Sequence, residues 1–250
     1  MTRPDSRDGG RLAAAVTETV AAAAGQAERH DPVREGTGGP AGNAVLTAWL
    51  GLVLLVMFVA ELLTLFDVGG LISWHVAIGA LLIPPALAKT ASTGWRILGY
   101  YRGETHYVHA GPPPLLLRVL GPLVVVATLA VLATGTVLVA LGEQAGRTTL
   151  LRPLGFRIDW VTLHQGAFIA WAVATGLHVL GRLLPAVRLL AGRTRTGSRV
   201  PGAVLRVTAL ALTVATAVVA AVVLVRADGS WHQGPDHGDH VRGPASAHHD

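Results

Sequence analysis

The sequence predicts an all-α integral membrane protein in which a four-helix transmembrane bundle is accompanied by a fifth transmembrane helix. Three observations predict this fold class. Of the 250 residues, 51% are hydrophobic and 14% are charged, whereas soluble domains carry about a quarter charged residues. The apolar residues form five runs, each long enough to supply the roughly 20 residues that a spanning helix needs. None of the runs alternates in the way that the strands of a membrane barrel do.

Few ionisable side chains interrupt the five apolar runs. The first run contains Glu61, the second contains Lys89 together with His75, and the fourth contains His164 and His178, while the third and fifth are uncharged. Because backbone groups in lipid must be satisfied within their own segment, each run is expected to be a helix. The predicted segments are 44–66, 71–93, 119–142, 160–181 and 207–225.

The composition divides the chain into four parts. Residues 1–43 lack aromatic side chains and are predicted to be a disordered cytoplasmic tail. Residues 44–185 form the four-helix membrane domain, and residues 186–226 form a basic cytoplasmic loop followed by the fifth helix. Residues 227–250 form a His-rich extracytoplasmic tail, whose histidine and aspartate spacing matches no defined metal site.

The arginines set the expected orientation. With the N-terminus inside, fourteen of the nineteen arginines lie in cytoplasmic segments, as the positive-inside rule requires. The C-terminus then lies outside. The net charge of +5 is therefore attributed to topology and not to nucleic-acid binding. The preference for arginine over lysine, with many Ala, Gly and Val residues, indicates a bacterial host with a GC-rich genome. The expected location is therefore the bacterial cytoplasmic membrane.

The second and fourth predicted helices carry an internal repeat. His75 and His164 are 89 residues apart, and so are Lys89 and His178. Within each helix the two positions are 14 residues apart, which returns to within about 40° of the same face and spans roughly 21 Å. Since both helices run from outside to inside, the first pair is expected at one depth near the outer face and the second pair near the inner face.

Two histidines at one depth on parallel helices are suited to bind a haem iron from opposite sides. The chain has no cysteine, which excludes thioether attachment and makes the expected cofactor haem b. The small residues Gly79 and Gly166, close to His75 and His164, would give a macrocycle room. A plain hydrogen bond between helices is the structural alternative.

The inner level and Glu61 leave several interpretations open. In the repeat, His178 is matched by Lys89 and not by a second histidine. Three interpretations of this pair are open: a second haem site with His178 as a metal ligand, a haem site lost from one repeat, or a hydrogen bond between helices. Glu61 is predicted near the depth of His75. It would orient a ligand imidazole, take a proton from a quinol, or reach the outer interface as a solvated carboxylate.

Four short stretches carry a family resemblance: Trp74-His75-Val76-Ala77-Ile78-Gly79, Leu163-His164, His178-Val179-Leu180 and Ala133-Thr134-Gly135. Over residues 44–185 they resemble the membrane cytochrome b561 and hydrogenase-type cytochrome b group. The resemblance implies a four-helix haem-b bundle that passes electrons between a quinone pool and a partner redox protein. Lys89 departs from the pattern, because the group has a ligand histidine there.

Two other function classes fit the same residues. In a small transporter or ion- or proton-conducting protein, Glu61, Lys89 and the histidines would form the path. In a haem-free membrane anchor for a partner complex, the same side chains would only form hydrogen bonds between helices. The sequence leaves open whether the chain is an electron-transfer subunit of an oxidoreductase and whether it forms a homo-oligomer. It contains no phosphate-binding Gly-rich loop, His-Glu-x-x-His motif or nucleophile elbow.

The arginine distribution generates a topology prediction. A reporter fused after Asp250 should give an extracytoplasmic signal, because five spans starting from an inner N-terminus end outside. Paired alkaline phosphatase and fluorescent-protein fusions measure this. A cytoplasmic signal would contradict the predicted orientation and the depths derived from it.

Overall fold

The computed structural model describes residues 6–26, 31–190 and 199–227. Two 3₁₀ turns, Leu65–Asp67 and Pro153–Gly155, lie between helices, and one isolated antiparallel bridge joins Leu151 to Ile158. The described residues are otherwise helices and connecting turns. The helices are α1 (Ser6–Ala23), α2 (Gly39–Thr64), α3 (Ile72–Tyr101), α4 (Thr105–Ala110), α5 (Leu115–Gly146), α6 (Trp160–Leu190) and α7 (Ala203–Ala227).

Five helices in the described residues are long and apolar enough to cross a membrane. They are α2 with its following turn, α3, α5, α6 and α7, with lengths of 25 to 32 residues. A span needs about 20 residues, so each helix is long enough to extend beyond the hydrocarbon core. Every one extends beyond the segment predicted from hydrophobicity. The chain is a multi-pass membrane protein, and the all-α fold class is confirmed.

Helices α2, α3, α5 and α6 form the four-helix bundle. Both α2 and α5 pack against α3 and α6, so α3 and α6 stand diagonally across the interior from each other. Helix α7 packs mainly on the outside of α3. The loops 65–71 and 147–159 lie at what we name the first end of the bundle. Residues 31–38 and 102–114 lie at the second end.

The core between α2, α3 and α5 contains aliphatic side chains. Leu54, Leu82 and Ala86 are buried in one cluster. Side chains on the outer surface are as apolar as those inside, with Phe66 89% and Trp74 65% exposed. Apolar side chains pointing outward are what a lipid surface accommodates.

Helix α5 is interrupted where its predicted segment ends. Gly142 has φ 74° and ψ 174°, a conformation that a residue with a Cβ rarely adopts. The spanning part of α5 therefore stops at this glycine, and one further turn leads into the loop. By contrast, α3 continues through Pro84 and Pro85.

The N-terminal region is more structured than the sequence predicts. Within the segment expected to be a disordered tail, α1 packs against α5 and α6, and Asp31 pairs with Arg96 of α3. An Ala-rich helix of this length is marginal alone in water, and its contacts with the bundle supply the missing stabilisation. Helix α2 begins at Gly39, five residues before the predicted segment. Residues 228–250 of the His-rich tail lie outside the described residues, as do residues 191–198 of the basic loop.

Two leucines of α3 give a matched test of this packing. Leu82 is 2% exposed in the core cluster, whereas Leu87 is 51% exposed. Leu82→Ala should lower the free energy of unfolding by about 2 kcal/mol because it opens a cavity, and Leu87→Ala by less than about 0.5 kcal/mol. Unfolding curves in detergent measure both. Equal losses from the two variants would contradict the assignment of the core face.

Candidate functional site

His75 and His164 meet in the interior near the first end of the bundle. Each lies about one turn after the start of its helix, α3 or α6. Their ring centroids are 6.3 Å apart, and the ring planes are nearly perpendicular, at 88°. The structure therefore brings together two residues separated by 89 positions, at the matched depth that the repeat predicts. Whether they bind a metal stays a prediction.

The last turn of α2 holds the ring of His75. The Nδ1 atom lies 2.9 Å from Thr64 Oγ1 and 3.0 Å from Glu61 Oε1. Thr64 Oγ1 also donates to the Glu61 carbonyl oxygen at 2.6 Å. Glu61 thus contacts the imidazole as one of the sequence interpretations has it, and its side chain points inward. Its second oxygen, Oε2, is buried without a hydrogen-bond partner in the described part of the chain.

A threonine of α5 holds the ring of His164 in the same way. The Nδ1 atom of His164 lies 3.0 Å from Thr134 Oγ1. This hydroxyl donates to the Ala130 carbonyl oxygen at 2.8 Å, with the Val131 carbonyl at 3.1 Å. Both rings therefore contact, through Nδ1, a hydroxyl that already bonds its own helix backbone.

The threonine contacts favour one tautomer of each ring. A hydroxyl has a single proton, and in Thr64 and Thr134 the hydroxyl is placed to donate it to a backbone carbonyl. The hydroxyl oxygen is then left to accept a hydrogen bond from the ring, and this arrangement puts the ring proton on Nδ1. A neutral imidazole protonated at Nδ1 has its lone pair at Nε2. The side-chain hydrogen bonds recorded for both rings use Nδ1, and His164 also has a hydrogen bond with the backbone of Val131.

Local structure positions the histidine of α6. Asp159 Oδ1 precedes the helix and accepts from the backbone N–H and the hydroxyl of Thr162, at 2.8 and 2.9 Å. The hydrogen bonds from Thr162, the backbone one first, lower the pKa of the Asp159 carboxyl. This is a typical N-cap, and it sets where α6 starts and so the level of His164.

Three glycines near the rings differ in how closely their surroundings approach them. A Cβ on Gly135 would come within 3.2 Å of His164 Cε1, so only glycine fits the ring there without crowding it. Gly79 lies beside Glu61, whose Oε1 would be 3.5 Å from an added Cβ. Gly166 is exposed and meets nothing within 4 Å. The expected space next to His164 is therefore provided by Gly135 and not by Gly166, which is two residues and about 200° away on its helix.

The second level of the repeat contains no pair of rings. Lys89 Nζ donates to the Thr47 carbonyl oxygen of α2 at 3.0 Å and interacts electrostatically with His178. The Nδ1 atom of His178 is buried without a hydrogen-bond partner in the described residues. His106 lines a separate cavity at the second end, together with Arg34 and Trp95. Across the described ranges, no three His, Cys, Asp or Glu side chains form a metal-ligand set.

Comparisons of the chain with protein-family models, with curated proteins and with solved structures find no match. The class of protein therefore follows from fold and site together. It is a multi-pass helical membrane protein with two histidine rings 6.3 Å apart, nearly perpendicular to each other, inside a four-helix bundle.

The threonine contact generates a stability prediction. Thr134→Val removes the acceptor of a buried N–H and should cost about 1–3 kcal/mol of unfolding free energy. Thr136→Val is the control, because this hydroxyl bonds only the Leu132 carbonyl of its own helix. It should cost less than about 0.5 kcal/mol. Chemical unfolding in detergent compares them, and an equal or larger loss for the control would contradict a stabilising hydrogen bond between Thr134 and His164.

Proposed function

We propose that the chain is a b-type membrane cytochrome in which His75 and His164 bind one haem b as its axial ligands. The distance between the two rings supports this most directly. With a metal–imidazole bond of about 2.0–2.1 Å, and about 1.1 Å from a ring nitrogen to the ring centre, two axial imidazoles have centres about 6.3 Å apart. The centroids of these rings are 6.3 Å apart.

The residues around the rings fit this cofactor. Haem takes only axial ligands from the protein, since the porphyrin supplies four nitrogens, so the absence of a larger ligand set among the described residues is no obstacle. Thr64 and Thr134 keep Nε2 unprotonated and fix the ring planes, as outer hydrogen bonds do for metal-bound histidines. A bound haem b would supply one-electron redox chemistry at this place.

Glu61 has a positioning role in this proposal. Its Oε1 and Thr64 Oγ1 both lie within hydrogen-bond distance of His75 Nδ1. A carboxylate hydrogen-bonded to a ligand imidazole raises the basicity of that ligand. The two rings therefore differ: His75 has a carboxylate and a hydroxyl, whereas the recorded side-chain partner of His164 is a hydroxyl.

The proposed role is electron transfer between membrane quinol and a partner redox protein. Two observations support it: the resemblance to the cytochrome b561 and hydrogenase-type cytochrome b group, and the location of the histidine pair near one end of the bundle, within reach of a membrane surface. We place the chain in a bacterial cytoplasmic membrane with its N-terminus inside, on the basis of its arginine distribution. Because His178 faces Lys89, the proposal assigns one haem to each chain.

A second candidate function is proton or ion conduction. It is favoured by the interior face of α6, where polar atoms of Trp171, Thr175 and His178 are buried without a hydrogen-bond partner among the described residues. Ionisable and polar groups arranged along the interior of a membrane protein are typical of such paths. The haem content of the purified protein discriminates between the two functions.

Absorbance of the purified chain tests the proposal. Protein expressed with ample haem supply should show a sharp reduced α band, and acidic acetone should extract the haem, since no cysteine attaches it. His75→Ala and His164→Ala should each lose the haem or leave it high-spin, because one axial ligand is gone. Adding a reduced quinol analogue to the oxidised parent protein should produce the reduced spectrum.

His178→Ala is the matched control, because His178 lies on the same helix as His164 at the other level. It should retain the haem of the parent protein. A colourless parent protein would contradict the cytochrome proposal and favour conduction or a haem-free anchor. Equal haem loss from all three variants would contradict the assignment of the ligand pair.

A further inference from the structure

Three cations cluster at the second level of the bundle. Lys89 and Arg96 come from α3 and Arg182 from α6, which stand on opposite sides of the interior. Lys89 and Arg182 repel each other, as do Arg182 and Arg96. The carboxylate that interacts with this cluster is Asp31, which forms an ion pair with Arg96 and attracts Arg182. Among the interactions recorded for this cluster in the described residues, positive charge therefore exceeds negative charge.

The cluster also has more hydrogen-bond donors than acceptors. An ammonium has three donors and a guanidinium five. The recorded acceptor of Lys89 is the Thr47 carbonyl, and Arg96 Nε is buried without a partner. No hydrogen bond is recorded for Arg182 within the described residues. Such cations in a membrane interior are costly unless an anion or further acceptors satisfy them.

A second observation points to the same place. His178 Nδ1, Thr175 Oγ1 and Trp171 Nε1 are buried without partners in the described part of the chain. With Arg182 they follow a spacing of four, three and four residues, which puts them on one face of α6. Trp171 is only 5% exposed and packs against Phe58 of α2, so this face points into the bundle.

We propose that Lys89, Arg96 and Arg182, with His178 and Thr175, form a binding site for a phosphate group. Phosphate oxygens accept charge-assisted hydrogen bonds from guanidinium and ammonium groups. Basic pockets between transmembrane helices bind the headgroups of anionic lipids. The hydrophobic segments end at residues 93 and 181, which puts Arg182 at the membrane boundary and Lys89 about 6 Å inside it. A lipid phosphate and a free phosphate ion share this chemistry.

The experiment uses the full chain in nanodiscs of three kinds: phosphatidylcholine alone, phosphatidylcholine with phosphatidylglycerol, and phosphatidylcholine with inorganic phosphate in the buffer. The thermal unfolding midpoint is followed as each anion is titrated. The variants are Lys89→Gln and Arg182→Gln. Arg118→Gln is the control, since this exposed arginine at the same end donates to the Pro113 carbonyl outside the cluster.

The parent protein should gain stability from the anion, and each cluster variant should need about tenfold more anion for the same shift, while Arg118→Gln behaves as the parent does. A shift from phosphatidylglycerol alone identifies the phosphate of an anionic lipid headgroup, and one from inorganic phosphate identifies the free ion. If glutamine prevents folding, Lys89→Arg and Arg182→Lys keep the charge and should keep the shift.

Two results would overturn the proposal. One is a parent protein that neither anion stabilises, or whose shift is the same in the cluster variants and in Arg118→Gln. The other is a second haem b for each chain that is lost in Arg182→Gln, because the cations would then serve haem carboxylates.

Discussion

Two threonine hydroxyls, on Thr64 and Thr134, decide the chemistry of the interior. Each has one proton, and each uses it on a carbonyl of its own helix. In water a histidine ring exchanges protons between its nitrogens freely. Next to such a hydroxyl, inside a membrane, the ring is left with one inexpensive arrangement, the proton on Nδ1 and the lone pair on Nε2. In the proposed site, this arrangement would leave both Nε2 atoms able to bind a metal.

The helix arrangement turns this local chemistry into a site. Because α2 and α5 separate α3 from α6, the two histidines project from diagonal helices and meet across the interior. The threonines lie on the two separating helices, so every helix of the bundle contributes. The absence of a side chain at Gly135 lets the His164 ring lie close to the backbone of α5. Helix α7 and α1 pack outside this arrangement and supply none of the recorded contacts of the rings.

Much of this could be predicted from the sequence, and the rest depends on contacts between helices. Hydrophobic run length predicts five spans, and the 89-residue repeat predicts that His75 and His164 share a depth. The threonines were missed as ring partners, because a hydroxyl bonded to its own helix has no pattern of its own. The available signals were weak: Thr64 three residues after Glu61, and Thr134 inside a Thr-Gly stretch. The docking of α1 and the carbonyl that accepts from Lys89 likewise depend on which helices become neighbours.

We propose that His75 and His164 would together hold one haem iron, with their ring planes nearly perpendicular as they are here. Electron paramagnetic resonance of the oxidised, haem-loaded chain tests it most directly, because the ligand field of a ferric haem depends on its axial ligands and on their relative orientation. With ring planes 88° apart, the account predicts a low-spin signal dominated by one feature at large g. A high-spin signal from the intact protein, or a low-spin signal with three well-resolved features typical of parallel rings, would contradict it.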